Sequence, residues 1–224
     1  MSNDCAVIIP AVAPRRGFTQ PRLSLRLNDR QTILSRLVEQ IQHTLPGTTC
    51  HIITRADERL RHGNVETYPL PPHVEETPVN ALAVIEDIVS ESAHVLLLPE
   101  EAVLADCVLP ALVGAESSVL VEPYRPERQE EVGVNWCGAE ALFFSYALKP
   151  KWPGLAWLTG REKLLFAQLL LGPTWRRKLL HELLNEILHR GGHFQGVCPT
   201  PEPIALLHQP EDLLAVRQFV GDCR

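Results

Sequence analysis

Long apolar runs are missing from this 224-residue chain. The longest, such as Val95–Leu98 and Leu169–Leu171, fall far short of the ~20 residues that a membrane-spanning helix requires, so no membrane protein is expected. CxxC spacing is also absent. The cysteines at positions 5, 50, 107, 137, 198 and 223 are scattered, which argues against a zinc site or a disulfide framework and for buried reduced thiols in a cytoplasmic protein. Positive charge is lacking in Met1–Asp4, and Arg15 and Arg16 cut short the apolar stretch that follows, so a secretory leader is not expected. There is no G-x-S-x-G elbow and no Walker loop. His181-Glu-Leu-Leu-Asn185 lacks the second histidine of an HExxH zinc motif. A formal net charge of −6 argues against sequence-wide binding of nucleic acid. Glycine is absent before Gly17 and lysine before Lys149.

What the chain does have is alternation. Cys5–Pro10 is a short, unbroken apolar run rich in β-branched residues, the pattern of a strand buried inside a parallel sheet. After a loop over 11–30, Ile33, Leu34, Leu37, Val38 and Ile41 recur at helical spacing, and Leu45-Pro46-Gly47 ends that helix. Cys50–Thr54 completes a βαβ unit. Further strands are expected at Val65–Leu70, His94–Leu98 and Ser118–Val121. A helix opens at Pro78 and carries an apolar face through Val89, and another covers Cys107–Val113. Val132–Tyr146 reads as two strands, and Lys149–Pro153 as a polar excursion from the core. Trp175–Leu188 reads as one helix, Phe194–Val197 and Ile204–Leu207 as late strands, and Pro210 as the opening of a final helix. Trp136, Trp152, Trp157 and Trp175 read as core or dimer-contact residues. The whole predicts one α/β domain over residues 1–224, with a mixed, mainly parallel sheet and helices on both faces.

Charge is placed unevenly. Arg15, Arg16, Arg22, Arg26 and Arg30 share one stretch whose only acid is Asp29. In an open α/β sheet, ligands bind beyond the carboxyl ends of the strands. Two such ends carry charge here, at Ala11–Arg22 and Pro99–Glu101. A basic loop facing a pair of acids is a pattern for a nucleotide's phosphates and a divalent metal, and equally for ordinary solvation and capping.

Residues 5–34, CAVIIPAVAPRRGFTQPRLSLRLNDRQTIL, resemble the opening of the methylerythritol-phosphate cytidylyltransferases, which belong to the sugar-phosphate nucleotidyltransferases. The carriers are Pro10-Ala11, Arg15-Arg16, Pro21-Arg22 and Gln31-Thr-Ile-Leu34. Further on, Asn80-Ala-Leu-Ala, His94–Glu101, Gly154–Thr159 and Gln209-Pro-Glu-Asp-Leu213 are similar to later family segments, in the family's order. The resemblance implies a Rossmann-like nucleotidyltransferase that moves CMP from CTP to a sugar or polyol phosphate such as methylerythritol phosphate, in isoprenoid precursor synthesis. It implies Arg16 and Arg22 in catalysis, Arg15 on the nucleotide's phosphates, Asn80 near the base and Glu100 on magnesium. It also implies a cytoplasmic homodimer joined through an arm at about 125–153, with Trp136, Phe143, Phe144, Tyr146 and Trp152 in the contact.

The motifs depart from the family at their charged positions. Val12, Ala13 and Pro14 stand where a glycine loop would approach a triphosphate, and Pro14 has no N–H to donate. Arg22 replaces a lysine, and Pro99 aligns with the metal carboxylate, one residue before Glu100. Leu206 replaces a late lysine, and His181-Glu182-Leu183-Leu184 replaces a Thr-Asp-Glu-Ala segment. Losing one transition-state contact commonly costs about 10²–10³ in rate. The alternative function is therefore a catalytically inactive protein of this fold that works by binding a ligand or a partner.

Overall fold

The computed structural model describes residues 4–14, 16–55, 60, 62–123, 131–146 and 148–222. The chain opens with β1 (Cys5–Ala11), α1 (Ile33–Thr44), β2 (Cys50–Thr54) and β3 (Val65–Pro69). Then come α2 (Pro78–Ala83), α3 (Glu86–Glu91), β4 (His94–Leu97), β5 (Ala102–Leu104), α4 (Val108–Leu112) and β6 (Ser118–Leu120). The second half holds β7 (Gly133–Cys137), β8 (Glu140–Ser145), β9 (Ala156–Leu158), α5 (Gly160–Leu171), α6 (Leu180–His189), β10 (Phe194–Val197), β11 (Ile204–Leu206) and α7 (Asp212–Asp222).

Nine of the strands form one sheet, in the order β3-β2-β1-β4-β9-β6-β10-β8-β7. β9 and β8 run against the other strands, so the sheet is mixed and mostly parallel, as the alternation predicts. Side-chain alternation along β1 explains why its apolar run is unbroken: Val7, Ile9 and Ala11 face one core, and Ala6 and Ile8 the other. The first core is closed by α1, α4 and α7, and the second by α2, α3, α5 and α6. α1 begins where Thr32 and Ser35 cap each other: the Thr32 Oγ1 accepts from the Ser35 amide at 3.1 Å, and the Ser35 Oγ from the Thr32 amide at 2.8 Å. A separate two-stranded sheet pairs β5 with β11.

β2 pairs with β1 on one side and β4 pairs with it on the other. The chain reverses direction across the sheet there, which opens a crevice beyond the carboxyl ends of β1 and β4.

Several elements differ from the sequence reading. The helix expected from Pro78 through Val89 is two helices, because Ile85 leaves helical geometry at φ −120°, ψ 30°. Trp175–Leu188 is not one helix. A 3₁₀ turn over Trp175–Arg177 gives way to extended backbone at Lys178, and α6 starts afresh where the Glu182 carboxylate accepts from the Leu179 amide at 2.8 Å. α5 has no counterpart in the sequence reading: leucines lie on its exposed side (Leu164, Leu171) as well as its buried one (Leu169, Leu170), so no clean stripe marks it. Of the stretch expected as an arm, residues 133–145 extend the sheet, with β8 pairing with β10, and residues 125–130 lie outside the described residues. Lys149–Pro153 is no polar excursion either, since Lys151 and Trp152 are buried. Phe144 and Trp152, expected in a dimer contact, pack edge-on within the chain's own core at 5.1 Å. Among the described cysteines, Cys50 is buried, whereas Cys107 and Cys137 are exposed. No helix among the described residues is long and apolar enough to cross a membrane.

Candidate functional site

A cavity of about 290 Å³ lies in the crevice at the ends of β1 and β4. Pro10 lines it from β1 and Ala13 from just beyond that strand, and Leu98, Pro99, Glu100 and Glu101 line it from the turn after β4. Lys151, Trp152, Pro153 and Gly154 come from the approach to β9, Leu179, Leu180 and His181 from the start of α6, and Leu206 and His208 from the end of β11. Pro78 and Leu82 of α2 and Glu131, Val132 and Tyr146 complete the wall, so stretches from both halves of the chain converge at the switch point. Their lining is mainly apolar with a few polar side chains, the usual make-up of a small-molecule site.

Arg22 and Glu100, expected on phosphate and on metal, meet each other. Arg22 opens a short 3₁₀ turn, and its Nη1 donates to the Glu100 Oε1 at 2.5 Å. Its Nη2 donates to the Pro14 carbonyl at 2.6 Å, and its guanidinium lies 5.0 Å from the centre of the Phe18 ring. Both partners are nearly sealed from solvent, Arg22 at 6% exposure and Glu100 at 5%. The planar fork of arginine makes this arrangement: one arm takes a carboxylate and the other a carbonyl, which a lysine ammonium could not do in that plane. The loop between β1 and α1 is thus fastened to the turn after β4.

Arg16 is exposed and sits in the left-handed region at φ 42°, followed by Gly17 at φ 92°. Two such residues in succession make a sharp turn that carries Arg16 outward. Arg15 lies outside the described residues. Asn80 is buried and does not line the cavity. Its Nδ2 donates to the Glu75 carbonyl at 3.1 Å and its amide to the Thr77 Oγ1 at 3.2 Å, which fixes the first turn of α2, while Pro78 and Leu82 of that helix reach the cavity wall.

The sequence reading missed several cavity residues. Lys151 is 6% exposed, and its Nζ donates to the Glu131 carbonyl at 3.3 Å. Its backbone is held against Glu122 by reciprocal hydrogen bonds of 2.9 and 3.0 Å. His181 is buried at the first turn of α6 against the Tyr146 ring, 5.2 Å between centroids, and burial pushes its pKa down while Glu182 partly opposes that. The His208 Nε2 lies 3.5 Å from the Glu131 Oε1. A lysine between two prolines, in Lys149-Pro-Lys-Trp-Pro153, was the available signal: the flanking rings stiffen the backbone that aims it.

The resemblance implies magnesium. Magnesium asks for a near-octahedral shell of oxygens at short range. Glu100 already accepts from a guanidinium at 2.5 Å. Two unit charges ~4 Å apart interact by about 4 kcal/mol at an effective dielectric of ~20, so a dication beside Arg22 would face about twice that as repulsion. No group of three His, Cys, Asp or Glu side chains among the described residues converges to hold a metal. The residues present do not fit the ion.

No family model matches the chain, and no curated protein matches it by sequence. Solved structures do. The inositol-1-phosphate CTP transferase from T. maritima is 10% identical, with a TM-score of 0.73 over 98% of this chain and 96% of that one. The fold is the nucleotidyltransferase fold. CTP:phosphocholine cytidylyltransferase from Streptococcus pneumoniae is 8% identical, with a TM-score of 0.67 over 96% and 98% of the two chains. A CMP:2-keto-3-deoxy-manno-octonic acid synthetase solved with CTP is 15% identical, with a TM-score of 0.66 over 97% and 98%. At these identities the likeness is one of architecture, and it agrees with the α/β expectation from sequence.

Proposed function

We propose that this chain binds CTP at the carboxyl ends of β1 and β4 and transfers its CMP unit to a small phosphorylated sugar or polyol. The observation that carries this reading is the position of the cavity. It lies at the switch point of a fold shared, over nearly its whole length, with three structures whose names specify CTP or CMP. An oxygen of the acceptor phosphate attacks the α-phosphorus of CTP; the new P–O bond forms as the bond from that phosphorus to the bridging oxygen breaks, and pyrophosphate leaves with the electron pair. Such a reaction depends on alignment and on fixed positive charge near the leaving group. Lys151 supplies a buried ammonium at the cavity wall, and by the resemblance Arg15 and Arg16, which follow β1 in sequence, take the phosphates. Arg22 acts by fastening that loop, and Asn80 by fixing the start of α2 beside the cavity. The acceptor is methylerythritol phosphate or a relative of it by the resemblance of residues 5–34.

The homodimer belongs to the same reading. Leu142 and Phe143, exposed at 47% and 51% beside the sheet edge, supply an apolar contact for a second copy. A monomer in light scattering contradicts that part.

A second reading, ligand binding without turnover, is favoured by one observation: the guanidinium that would meet phosphate is committed to Glu100 and to the Pro14 carbonyl. A pyrophosphate-release assay separates the two. CTP is offered with methylerythritol phosphate, inositol 1-phosphate or phosphocholine. Turnover with one acceptor, lost in Lys151→Met, supports transfer; CTP binding with no turnover on any acceptor supports the second reading with CTP as its ligand; and no binding of CTP sinks transfer and leaves a protein that binds another ligand or a partner.

A further inference from the structure

We infer that the Arg22 guanidinium is a built-in replacement for the divalent cation at this site, so that the chain takes its nucleotide without a metal. The resemblance implies an ion on the carboxylate after β4, and in this chain that carboxylate is Glu100. Its Oε1 is engaged at 2.5 Å by a cation that belongs to the protein. The cation is held from three directions, by Glu100, by the Pro14 carbonyl at 2.6 Å and by the Phe18 ring at 5.0 Å. A buried guanidinium anchored in this way is part of the folded structure rather than a side chain waiting for a ligand.

The charge arithmetic points the same way. A divalent ion brings two positive charges and needs several oxygens; the arginine brings one and satisfies one carboxylate. With the Glu100 charge offset internally, the site offers a nucleotide's phosphates no ion to bridge to. Among the described residues, Lys151 at the cavity is a cation that belongs to the protein and suits the uncomplexed polyanion. Replacement of lysine by arginine at position 22 and the shift of the carboxylate from 99 to 100 then form one coupled change: the longer, forked side chain reaches the displaced acid.

Where the nucleotide sits rests on the function proposed above, but the metal can be read without it. Manganese is the probe, followed by the paramagnetic signal of the free ion. Wild-type protein is expected to leave that signal at its protein-free level. Depletion by one equivalent of protein that disappears in Glu100→Gln overturns the inference; depletion that survives Glu100→Gln places an ion elsewhere and leaves the pairing standing. CTP is then titrated against wild type in EDTA and in magnesium. Equal or weaker binding with magnesium is expected, and a tightening of about tenfold or more overturns the inference. Failure of CTP to bind in either buffer refutes the nucleotide function, while the manganese readout still decides the metal.

Discussion

Replacing Arg22 by methionine leaves the Glu100 carboxylate, at 5% exposure, without the guanidinium that now neutralises it. Removing one member of a buried pair typically costs about 3–5 kcal/mol, because the survivor is a charge held out of water. Glu100→Leu strands the guanidinium in the same way and costs a similar amount. The double variant Arg22→Met with Glu100→Leu strands neither charge. It loses the bond to the Pro14 carbonyl, worth about 1–2 kcal/mol once that acceptor is left unsatisfied, and the contact with the Phe18 ring, which a methionine side chain can partly replace. Each single variant should therefore melt about 6–20 °C below wild type, and the double variant only a few degrees below, taking about 2–4 °C per kcal/mol for a chain of this size. Urea denaturation followed by circular dichroism gives the cycle directly. Effects that add, with the double variant worse than either single one, would show that the two groups do not neutralise each other, and the metal argument would fall with them.

Other outcomes follow from single features. A Cβ at Gly133 would stand 1.9 Å from the Leu148 carbonyl, so Gly133→Ala must push backbone away from backbone; loss of most of the soluble folded protein is expected on expression, and a variant that melts like wild type refutes the packing of β7. Burial holds the pKa values of His181 and His51 below their ordinary 6.5. The unfolded chain takes up these protons first as pH falls, so their contribution to stability is intact above pH ~6.5 and is lost below it. The melting temperature should drop between about pH 7 and pH 5, and drop less in His181→Asn; an equal drop in that variant removes His181 from the explanation. Burial also lifts the Cys50 thiol to about 12 while Cys107 and Cys137 are exposed, so mass spectrometry after brief alkylation should find label on those two before Cys50, and early label on Cys50 contradicts the burial of β2.

The parallel half of the fold was legible because its strands are buried on both faces. A run such as Cys5–Pro10 has no alternation to interpret, and only a strand between two helical layers needs that composition. α5 was not legible, because its exposed leucines hide its stripe, and the break at Ile85 carries no proline or glycine to mark it. For the site, the charged positions at 22 and 100 could be found along the chain, but not that they bond to each other across 78 residues of sequence. The cavity's Lys151, His181 and His208 come from segments that only the fold brings together, and His181 looked like a fragment of a zinc motif. Spacing along a chain reports neighbours on one element; a cavity at a switch point is assembled from many.

A crystal structure of the wild-type protein grown with CTP and magnesium tests the central claim most directly. A nucleotide is expected in the cavity between the ends of β1 and β4, its phosphates toward Lys151 and Arg16, with the Arg22–Glu100 pair intact and no ion on Glu100. A nucleotide bound elsewhere, or a metal coordinated by Glu100 with Arg22 displaced onto the phosphates, would contradict it.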